Sequence, residues 1–236
     1  MDAKLERLAL LLSEEQINKL QSSKVLVVGL GGVGGYVCEA LARSGVKEIS
    51  IMDHDVISIS NLNRQIIATK SNIGVSKVIA MKNRIEDISD AKVNIYEMFY
   101  TKECNIIDSS YDYVIDCCDT ITAKIEIIKK CQKENVKTIA STGTGNRVDP
   151  MSFTLTTLDK TTYDPVAKAM RSIVKKEGIR GKIKVICSKE HPIKQNKVIN
   201  LEGKTTKDKY PVASNAFVPS AAGLFLASIV VKDLIK

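Results

Sequence analysis

Three glycines near the N-terminus have the spacing of a phosphate-binding turn. Gly29, Gly31 and Gly34 fit the pattern G-x-G-x-x-G, and they follow directly on the apolar run 25–28. Such a turn brings backbone N–H groups close to a phosphate, and the helix behind it offers the positive end of its dipole. Asp53 lies 19 residues past Gly34, where a carboxylate can accept hydrogen bonds from ribose hydroxyls. These residues predict a nucleotide site, but they do not distinguish a redox cofactor such as NAD from an ATP that is consumed.

Charged residues that follow other predicted strands favour chemistry on phosphates. Such chemistry needs cations on the phosphates and a carboxylate for a magnesium ion, whereas hydride transfer needs neither. Arg64 follows the second apolar run, Asp119 follows the fourth, and Lys77 stands in the first turn of a helix that we expect Ser76 to cap. A positive charge at the N-terminus of a helix interacts unfavourably with the helix dipole, at a cost of ~0.3–1 kcal/mol, so a nearby anion best explains the position of Lys77.

Each of these residues also has a purely structural alternative. Arg64 by itself is typical of a surface arginine, and Asp119 by itself is typical of a residue that caps a helix. Their convergence at one edge of a sheet is the stronger observation, because ligands of open α/β sheets bind at the carboxyl ends of the strands. We therefore predict that ATP is consumed here, and we expect Arg64 and Lys77 to face solvent.

Apolar runs and helical patterns alternate through the first 150 residues. The strands are predicted at 25–28, 48–52, 93–98, 113–117 and 138–140, and the helices between them at 36–43, 76–88 and 123–134. Ser13 and Gln16 form a capping-box pattern for an earlier helix at 14–20. The alternation predicts an α/β fold, a Rossmann-like doubly wound and mostly parallel sheet with helices on both faces.

The pattern changes after Pro150. We predict strands at 152–158 and 182–188, helices at 165–177 and 220–235, and a mobile lysine-rich loop at 191–210. These elements would form a C-terminal antiparallel extension of the sheet. The expected organisation is an N-terminal helical arm (1–22), an ATP-binding Rossmann-like core (23–150) and a basic substrate-binding extension with its closing helix (151–236), packed with the core as one unit.

The basic charge of the chain is concentrated in one segment. The 236 residues carry a net charge of +8, and residues 160–210 hold 14 Lys and Arg against 5 Asp and Glu, compared with 21 against 22 in the rest of the chain. A solvated lysine-rich surface would account for this. A localised positive field also suits a polyanionic partner such as RNA.

The remaining composition argues against a membrane protein or a disulfide framework. No apolar run reaches the length of about 18 residues that a bilayer requires. The six cysteines form no C-x-x-C pair, which indicates cytosolic thiols and not a structural zinc site. We therefore expect a cytoplasmic protein that has no contact with membranes.

A resemblance to a known superfamily rests on four motifs, GLGGVGG, DHDVISISNLNRQ, IGVSK and DCCDT. They resemble the ubiquitin-activating-like enzymes, which adenylate a carboxylate with ATP and release pyrophosphate. The later runs GTGNRVDP, DPVAKAMRSIVKKEGI and KVICSKEHPIK resemble one branch of that superfamily, which acts on threonylcarbamoyladenosine in tRNA. The resemblance extends from Arg7 to the C-terminal helix. The related sulfur-carrier adenylyltransferases commonly have two C-x-x-C pairs for zinc, and this chain has neither.

The resemblance implies a set of residues that bind the nucleotide: Gly29, Gly31, Gly32, Gly34, Asp53, Asp55, Asn61, Asn63, Arg64, Gln65 and Lys77. Within this set the glycines would cradle ATP and Asp53 would hold its ribose. Arg64 and Lys77 would neutralise the phosphates during catalysis, and Asp119 would coordinate Mg²⁺. In related homodimers an N-terminal arginine reaches into the partner's site, and Arg7 loosely matches that position.

By the same resemblance, the substrate is a tRNA that carries threonylcarbamoyladenosine. AMP transfer to the threonine carboxylate would make an acyl-adenylate, and a urea nitrogen of the same modification would then close a hydantoin ring. Three alternatives stay open: an adenylyltransferase for a ubiquitin-like sulfur-carrier protein, an NAD-dependent oxidoreductase and a nucleotide-gated RNA-binding module. Cys187 is an alternative acyl acceptor, although cysteines in strands are usually inert. The participation of a sulfur-transfer partner protein is likewise open.

Overall fold

Seven strands and six α-helices form in the parts of the chain that the computed structural model describes, residues 3–195 and 212–236. The strands are β1 Lys24–Val28, β2 Glu48–Met52, β3 Lys92–Tyr96, β4 Tyr113–Asp116, β5 Lys137–Ser141, β6 Phe153–Thr157 and β7 Lys184–Ser188. The helices are α1 Glu14–Ser22, α2 Gly34–Arg43, α3 Lys77–Ile88, α4 Ile121–Glu134, α5 Pro165–Lys176 and α6 Val218–Leu234.

All seven strands belong to one sheet with the order β3-β2-β1-β4-β5-β7-β6. Every neighbouring pair is parallel except β6 and β7, which run antiparallel. The predicted α/β class, with a mostly parallel sheet and an antiparallel C-terminal extension, is confirmed. The strand order reverses between β1 and β4, and such a reversal opens a crevice at the carboxyl ends of the strands.

The helices cover both faces of the sheet, because the side chains of buried parallel strands alternate between two cores. Along β1, Val25 and Val27 pack in the core that contains α2, α3 and α6, whereas Leu26 and Val28 pack in the core that contains α4. A third cluster joins α4 to α5 beneath β5 and β7. The chain therefore leaves β1 and β4 toward opposite faces, and this divergence shapes the crevice between them.

Most predicted element boundaries agree with the structure to within two residues. The capping box of Ser13 and Gln16 is present at the start of α1. The strand predicted at 93–98 ends early, at Tyr96, because its only neighbour, β2, ends opposite at Met52. Of the lysine-rich loop predicted at 191–210, residues 196–210 lie outside the described residues.

The division into arm, core and extension stays a prediction. Within the described residues, no helix has the length and apolar character needed to cross a bilayer.

Candidate active site

The glycine turn between β1 and α2 is shaped by close backbone approach. Gly29 has φ +91°, and a Cβ there would lie 2.8 Å from the backbone of Cys117. A Cβ on Gly34 would lie 1.8 Å from the carbonyl oxygen of Gly29, so Gly34 serves the packing of the turn. A Cβ on Gly31 would come no closer than 4.0 Å to any neighbour, so Gly31 is the glycine that leaves room for a ligand.

A cavity of about 310 Å³ opens beside this turn, at the carboxyl ends of β1, β2 and β4. It brings together most of the predicted nucleotide-binding residues: Gly29, Gly31, Gly32, Asp53, Asp55, Asn61, Arg64, Gln65, Lys77 and Asp119. Gly34, Asn63 and Arg7 are not among its lining residues. Arg7 is exposed in the N-terminal segment of the chain.

Asp53 is fixed at the floor of the cavity by two backbone groups. Its Oδ2 accepts a hydrogen bond from the N–H of Leu30 at 2.6 Å, and its Oδ1 accepts one from the N–H of Asp55 at 2.9 Å. The carboxylate thereby ties the glycine turn to the end of β2. Each oxygen retains a second lone pair that can accept a hydroxyl proton.

Lys77 is buried, which contradicts our expectation that it faces solvent. Its side chain is 7% exposed, and its Nζ lies 2.7 Å from Asp55 Oδ2 and 3.9 Å from Asp53 Oδ1. Burial by itself would raise the pKa of Asp55, but the hydrogen bond from Lys77 and the charges of Lys77 and His54 together outweigh it and hold that pKa below its usual value. The anions that compensate for a lysine at this helix N-terminus are therefore carboxylates of the chain itself. Ser76 occupies the N-cap position of α3, as predicted, but its buried hydroxyl makes no capping hydrogen bond and has no hydrogen-bond partner among the described residues.

Arg64 lies on another wall of the cavity and is half-buried, which also differs from our expectation that it faces solvent. Its Nη1 donates to the carbonyl oxygen of Ser60 at 2.8 Å and to Oδ1 of Asn63 at 2.9 Å. Burial lowers the pKa of the guanidinium, but an arginine stays charged at neutral pH. Asn63 supports Arg64 from outside the cavity, and its Nδ2 donates to the carbonyl oxygen of Ser214 at 3.1 Å.

Two buried amides complete this wall. Asn61 accepts a hydrogen bond from the N–H of Ser58 at 3.1 Å, which holds the turn before Arg64. Gln65 is 7% exposed and lines the cavity, yet its Oε1 has no hydrogen-bond partner among the described residues. A buried acceptor without a donor is costly. Gln65 is therefore suited to receive a donor from a ligand.

Asp119 is exposed on the loop that follows β4. Its Oδ1 accepts a hydrogen bond from the Thr120 hydroxyl at 3.3 Å. Thr120, not Asp119, occupies the N-cap position of α4, so the alternative that Asp119 caps this helix is not supported. Asp119 thus presents a carboxylate at the cavity that can reach a cation.

A buried ion pair beneath this loop was not predicted from the sequence. Lys124 is 2% exposed and Asp116 fully buried, and Lys124 Nζ lies 3.1 Å from Asp116 Oδ1. Lys124 also donates to the carbonyl oxygen of Ser141 at 2.8 Å, and Asp116 accepts the N–H of Cys118 at 3.1 Å. The pair joins the ends of β4 and β5 to the first turn of α4. The available signal was that Lys124 shares a helical face with Ile121 and Ile128, where an apolar residue is expected.

Sequence reasoning also missed an apolar wall. Met98 and Phe99, which we assigned to or next to β3, line the cavity beyond the end of that strand and are each about two-fifths exposed. His54 lines it as well, with its ring edge-on to Phe99 at 5.0 Å between centroids. These residues could be found only once the end of β3 was known.

The cysteines are placed for packing. All six are free, and Cys187 is buried in β7. Burial raises the pKa of the Cys187 thiol, so the thiolate that an acyl acceptor requires is disfavoured.

Comparison with known proteins identifies the family. The model of the ThiF family matches residues 4–232. The chain is 44% identical over 235 residues to the tRNA threonylcarbamoyladenosine dehydratase of Bacillus subtilis, covering 96% of this chain and 92% of that protein. It is 33% identical over 187 residues to the Escherichia coli enzyme of the same name, covering 76% of this chain and 70% of that protein.

Comparison with solved structures points to the same group of enzymes. The crystal structure of E. coli tRNA N6-threonylcarbamoyladenosine dehydratase in complex with AMP superimposes with a TM-score of 0.88 and 28% identity, over 99% of this chain and 96% of that one. The structure of the same protein in complex with ATP gives a TM-score of 0.87 over the same shares. The match to the family model covers nearly the whole chain and includes the cavity residues described above. This protein therefore belongs to the ThiF family, and its resemblance to the tRNA threonylcarbamoyladenosine dehydratases is confirmed.

Proposed function

We propose that this protein is an ATP-dependent tRNA threonylcarbamoyladenosine dehydratase. It adenylates the threonine carboxylate of the modification and closes it to the hydantoin form, releasing AMP and pyrophosphate. One observation carries the proposal: two cations, Arg64 and Lys77, and the exposed carboxylate of Asp119 line the same cavity as the glycine turn. This set suits a triphosphate that is cleaved, whereas a bound NAD would leave it without a role.

ATP would lie along the carboxyl edge of the sheet. The amides at Gly31 and Gly32 and the N-terminus of α2 would receive the phosphates. The ribose hydroxyls would donate to Asp53 and to the unpaired Oε1 of Gln65. The wall that contains Phe99 would cover the adenine ring.

Asp119 is the residue that we expect to hold Mg²⁺. Its carboxylate is exposed to the cavity, and Mg²⁺ commonly binds one or two carboxylates together with substrate phosphates and water. Donor atoms of Asp53, His54 and Asp55 also lie within 4.8 Å of one another. The backbone N–H of Leu30 and the ammonium of Lys77 already engage that group, which makes it the less suitable one.

The reaction needs no nucleophilic side chain. A carboxylate oxygen of the substrate attacks the α-phosphorus, and pyrophosphate leaves. A urea nitrogen of the same modification then attacks the activated carbonyl carbon, loses its proton and expels AMP. Both reacting groups belong to one substrate, and effective molarities of about 10⁵–10⁸ M are reached in well-oriented intramolecular reactions. The buried, protonated state of Cys187 is consistent with this route.

The enzyme would act as a cytoplasmic homodimer in which Arg7 enters the partner's site. Arg7 is exposed and does not line the cavity of its own chain, so a catalytic role requires a second copy. The proposed chemistry consumes only ATP and the modified tRNA, so a sulfur-transfer partner would assist without supplying a reactant.

The test supplies purified protein with ATP and tRNA, with and without threonylcarbamoyladenosine. AMP and pyrophosphate should form only with the modified tRNA, and mass spectrometry should show that nucleoside losing the mass of one water molecule. Equal turnover with unmodified tRNA, or none with modified tRNA, would refute the proposal. Pyrophosphate exchange that depends on a carrier protein ending in Gly-Gly would favour the sulfur-carrier alternative. As a matched pair of variants, Arg64→Ala should form no AMP, whereas Lys102→Ala, at an exposed position outside the cavity, should react like the original protein.

A further inference from the structure

Tyr163, in the loop before α5, has a backbone conformation that is unusual for its type. Its φ is +56°, in the left-handed region that bulky side chains rarely adopt. Its side chain is not stabilised there by deep burial, since the residue is 54% exposed. Strained positions of this kind persist where the surrounding structure holds them, and they concentrate at functional sites.

The surrounding structure holds Tyr163 against an exposed histidine. The rings of Tyr163 and His191 stack with 3.6 Å between centroids and an interplanar angle of 36°. Arg147 contacts the sequence neighbour of each ring: its Nη2 donates to the side chain of Asp164 (Oδ2) at 3.0 Å, and its Nη1 donates to the carbonyl oxygen of Glu190. Arg147 is 3% exposed and Asp164 likewise. Arg147 thus holds the residue next to each ring, Asp164 by a buried ion pair and Glu190 by a hydrogen bond to its backbone. We call Tyr163 and His191 the stacked pair.

The loop that carries Tyr163 contacts a segment that lines the active-site cavity. A Cβ on Gly143 would lie 3.1 Å from the carboxylate of Asp164, the residue after Tyr163. Thr144, the residue after Gly143, lines the cavity, whereas Tyr163 and His191 do not. The stacked pair would therefore be reached by a part of the substrate that extends beyond the cavity.

The charge around the stacked pair suits a nucleic acid. Lys189 and Lys194, on either side of His191, are exposed, and the basic excess of the chain lies between residues 160 and 210. Aromatic rings beside cationic side chains are the surfaces on which proteins stack unpaired bases. A ring pair whose only role was core packing would be buried, whereas both residues here are exposed.

We propose that the stacked pair binds an unpaired base of the RNA substrate, adjacent to the modified adenosine. This inference rests on the proposed function for the identity of the RNA. An adenosine whose N6 substituent reacts inside the cavity must be unpaired, so it lies in a single-stranded loop. A neighbouring base in that loop can stack on the exposed rings, and this contact would hold the modification at the cavity.

The experiment measures binding of modified tRNA to three variants. Tyr163→Ala should weaken binding by about 5- to 160-fold, since a base–aromatic stack contributes about 1–3 kcal/mol. Tyr163→Phe keeps the ring and should bind within about twofold of the original protein. Tyr163→Gly also removes the ring but tolerates a positive φ, so it repeats the test if the alanine variant fails to fold. The ATP affinity should be the same in all variants, because Tyr163 lies outside the nucleotide cavity.

A fluorescent base separates this inference from the proposed function. 2-Aminopurine placed next to the modified adenosine should be quenched by the original protein and by Tyr163→Phe, but not by Tyr163→Ala. Equal affinity and equal quenching with Tyr163→Ala would overturn the stacking role. Intact quenching by a protein that forms no AMP from modified tRNA would support the stacking role and reject the proposed function.

Discussion

Replacing Lys124 with methionine should destabilise the protein strongly, although the residue does not line the active-site cavity. Lys124 and Asp116 are 2% and 0% exposed, with 3.1 Å between Nζ and Oδ1. Asp116 Oδ2 already has no hydrogen-bond partner among the described residues. Lys124→Met would leave a buried carboxylate with no counter-charge and remove the donor to the Ser141 carbonyl.

The magnitude follows from the burial of both partners. Removing one member of a buried ion pair costs about 3–5 kcal/mol, because the other charge stays desolvated and unpaired. For a chain of this size each kcal/mol lowers Tm by roughly 2–4 °C, so we expect a decrease of about 6–20 °C. Lys129 lies on the same helix, but its side chain is 40% exposed and pairs with Glu126 and Glu177 at the surface. Lys129→Met should therefore cost no more than about 1 kcal/mol.

The assay is chemical denaturation of Lys124→Met, Asp116→Asn and the double variant. In the Lys124→Met background, Asp116→Asn removes a charge that has lost its partner. It should therefore lower the free energy of unfolding much less in that background than it does alone. We expect a coupling energy of about 2 kcal/mol or more. If Lys124→Met loses less than about 1 kcal/mol, or if the two costs simply add, the buried pair does not hold this edge of the sheet.

Three further predictions concern the cavity, the stability of the protein at acid pH, and the dimer. Lys77→Met and Arg64→Met should both abolish AMP formation, but only Lys77→Met should also lower stability, by about 1–3 kcal/mol, because it removes the ion pair with Asp55 and leaves the buried carboxylate of Asp53 without the cation beside it; equal Tm values would contradict this. Burial would raise the pKa of Glu39, but hydrogen bonds led by Arg84 lower it overall, so its stabilisation exists above about pH 4.3 and is lost as the pH falls through the lowered pKa. The stability difference between Glu39→Gln and the original protein should therefore shrink below about pH 4 in denaturation curves, and a constant difference would refute it. Mixing inactive Arg7→Ala with inactive Arg64→Ala chains should restore about a quarter of the activity if Arg7 completes the partner's site, and no recovery would exclude that role.

The site could be predicted from the sequence where its residues follow strand ends. The glycine turn follows a clear apolar run, and parallel strands bring their carboxyl ends to one edge, so Asp53, Arg64, Lys77 and Asp119 converge without any knowledge of packing. Helix periodicity and the capping box of α1 are equally local, because they depend on residues three or four positions apart.

The tertiary structure alone decided how buried these residues are and what they contact. Lys77 is held by carboxylates that precede it by more than 20 residues. No local sequence pattern indicates that these residues lie close together in space. Lys124 appears on a helix as an ordinary lysine until β5 supplies the Ser141 carbonyl. Tyr163 and His191 meet where Arg147 bonds to the residue next to each of them. Local periodicity thus determined which elements form and which edge carries the chemistry, whereas burial and charge pairing depend on long-range packing, which the sequence pattern does not encode in any short window.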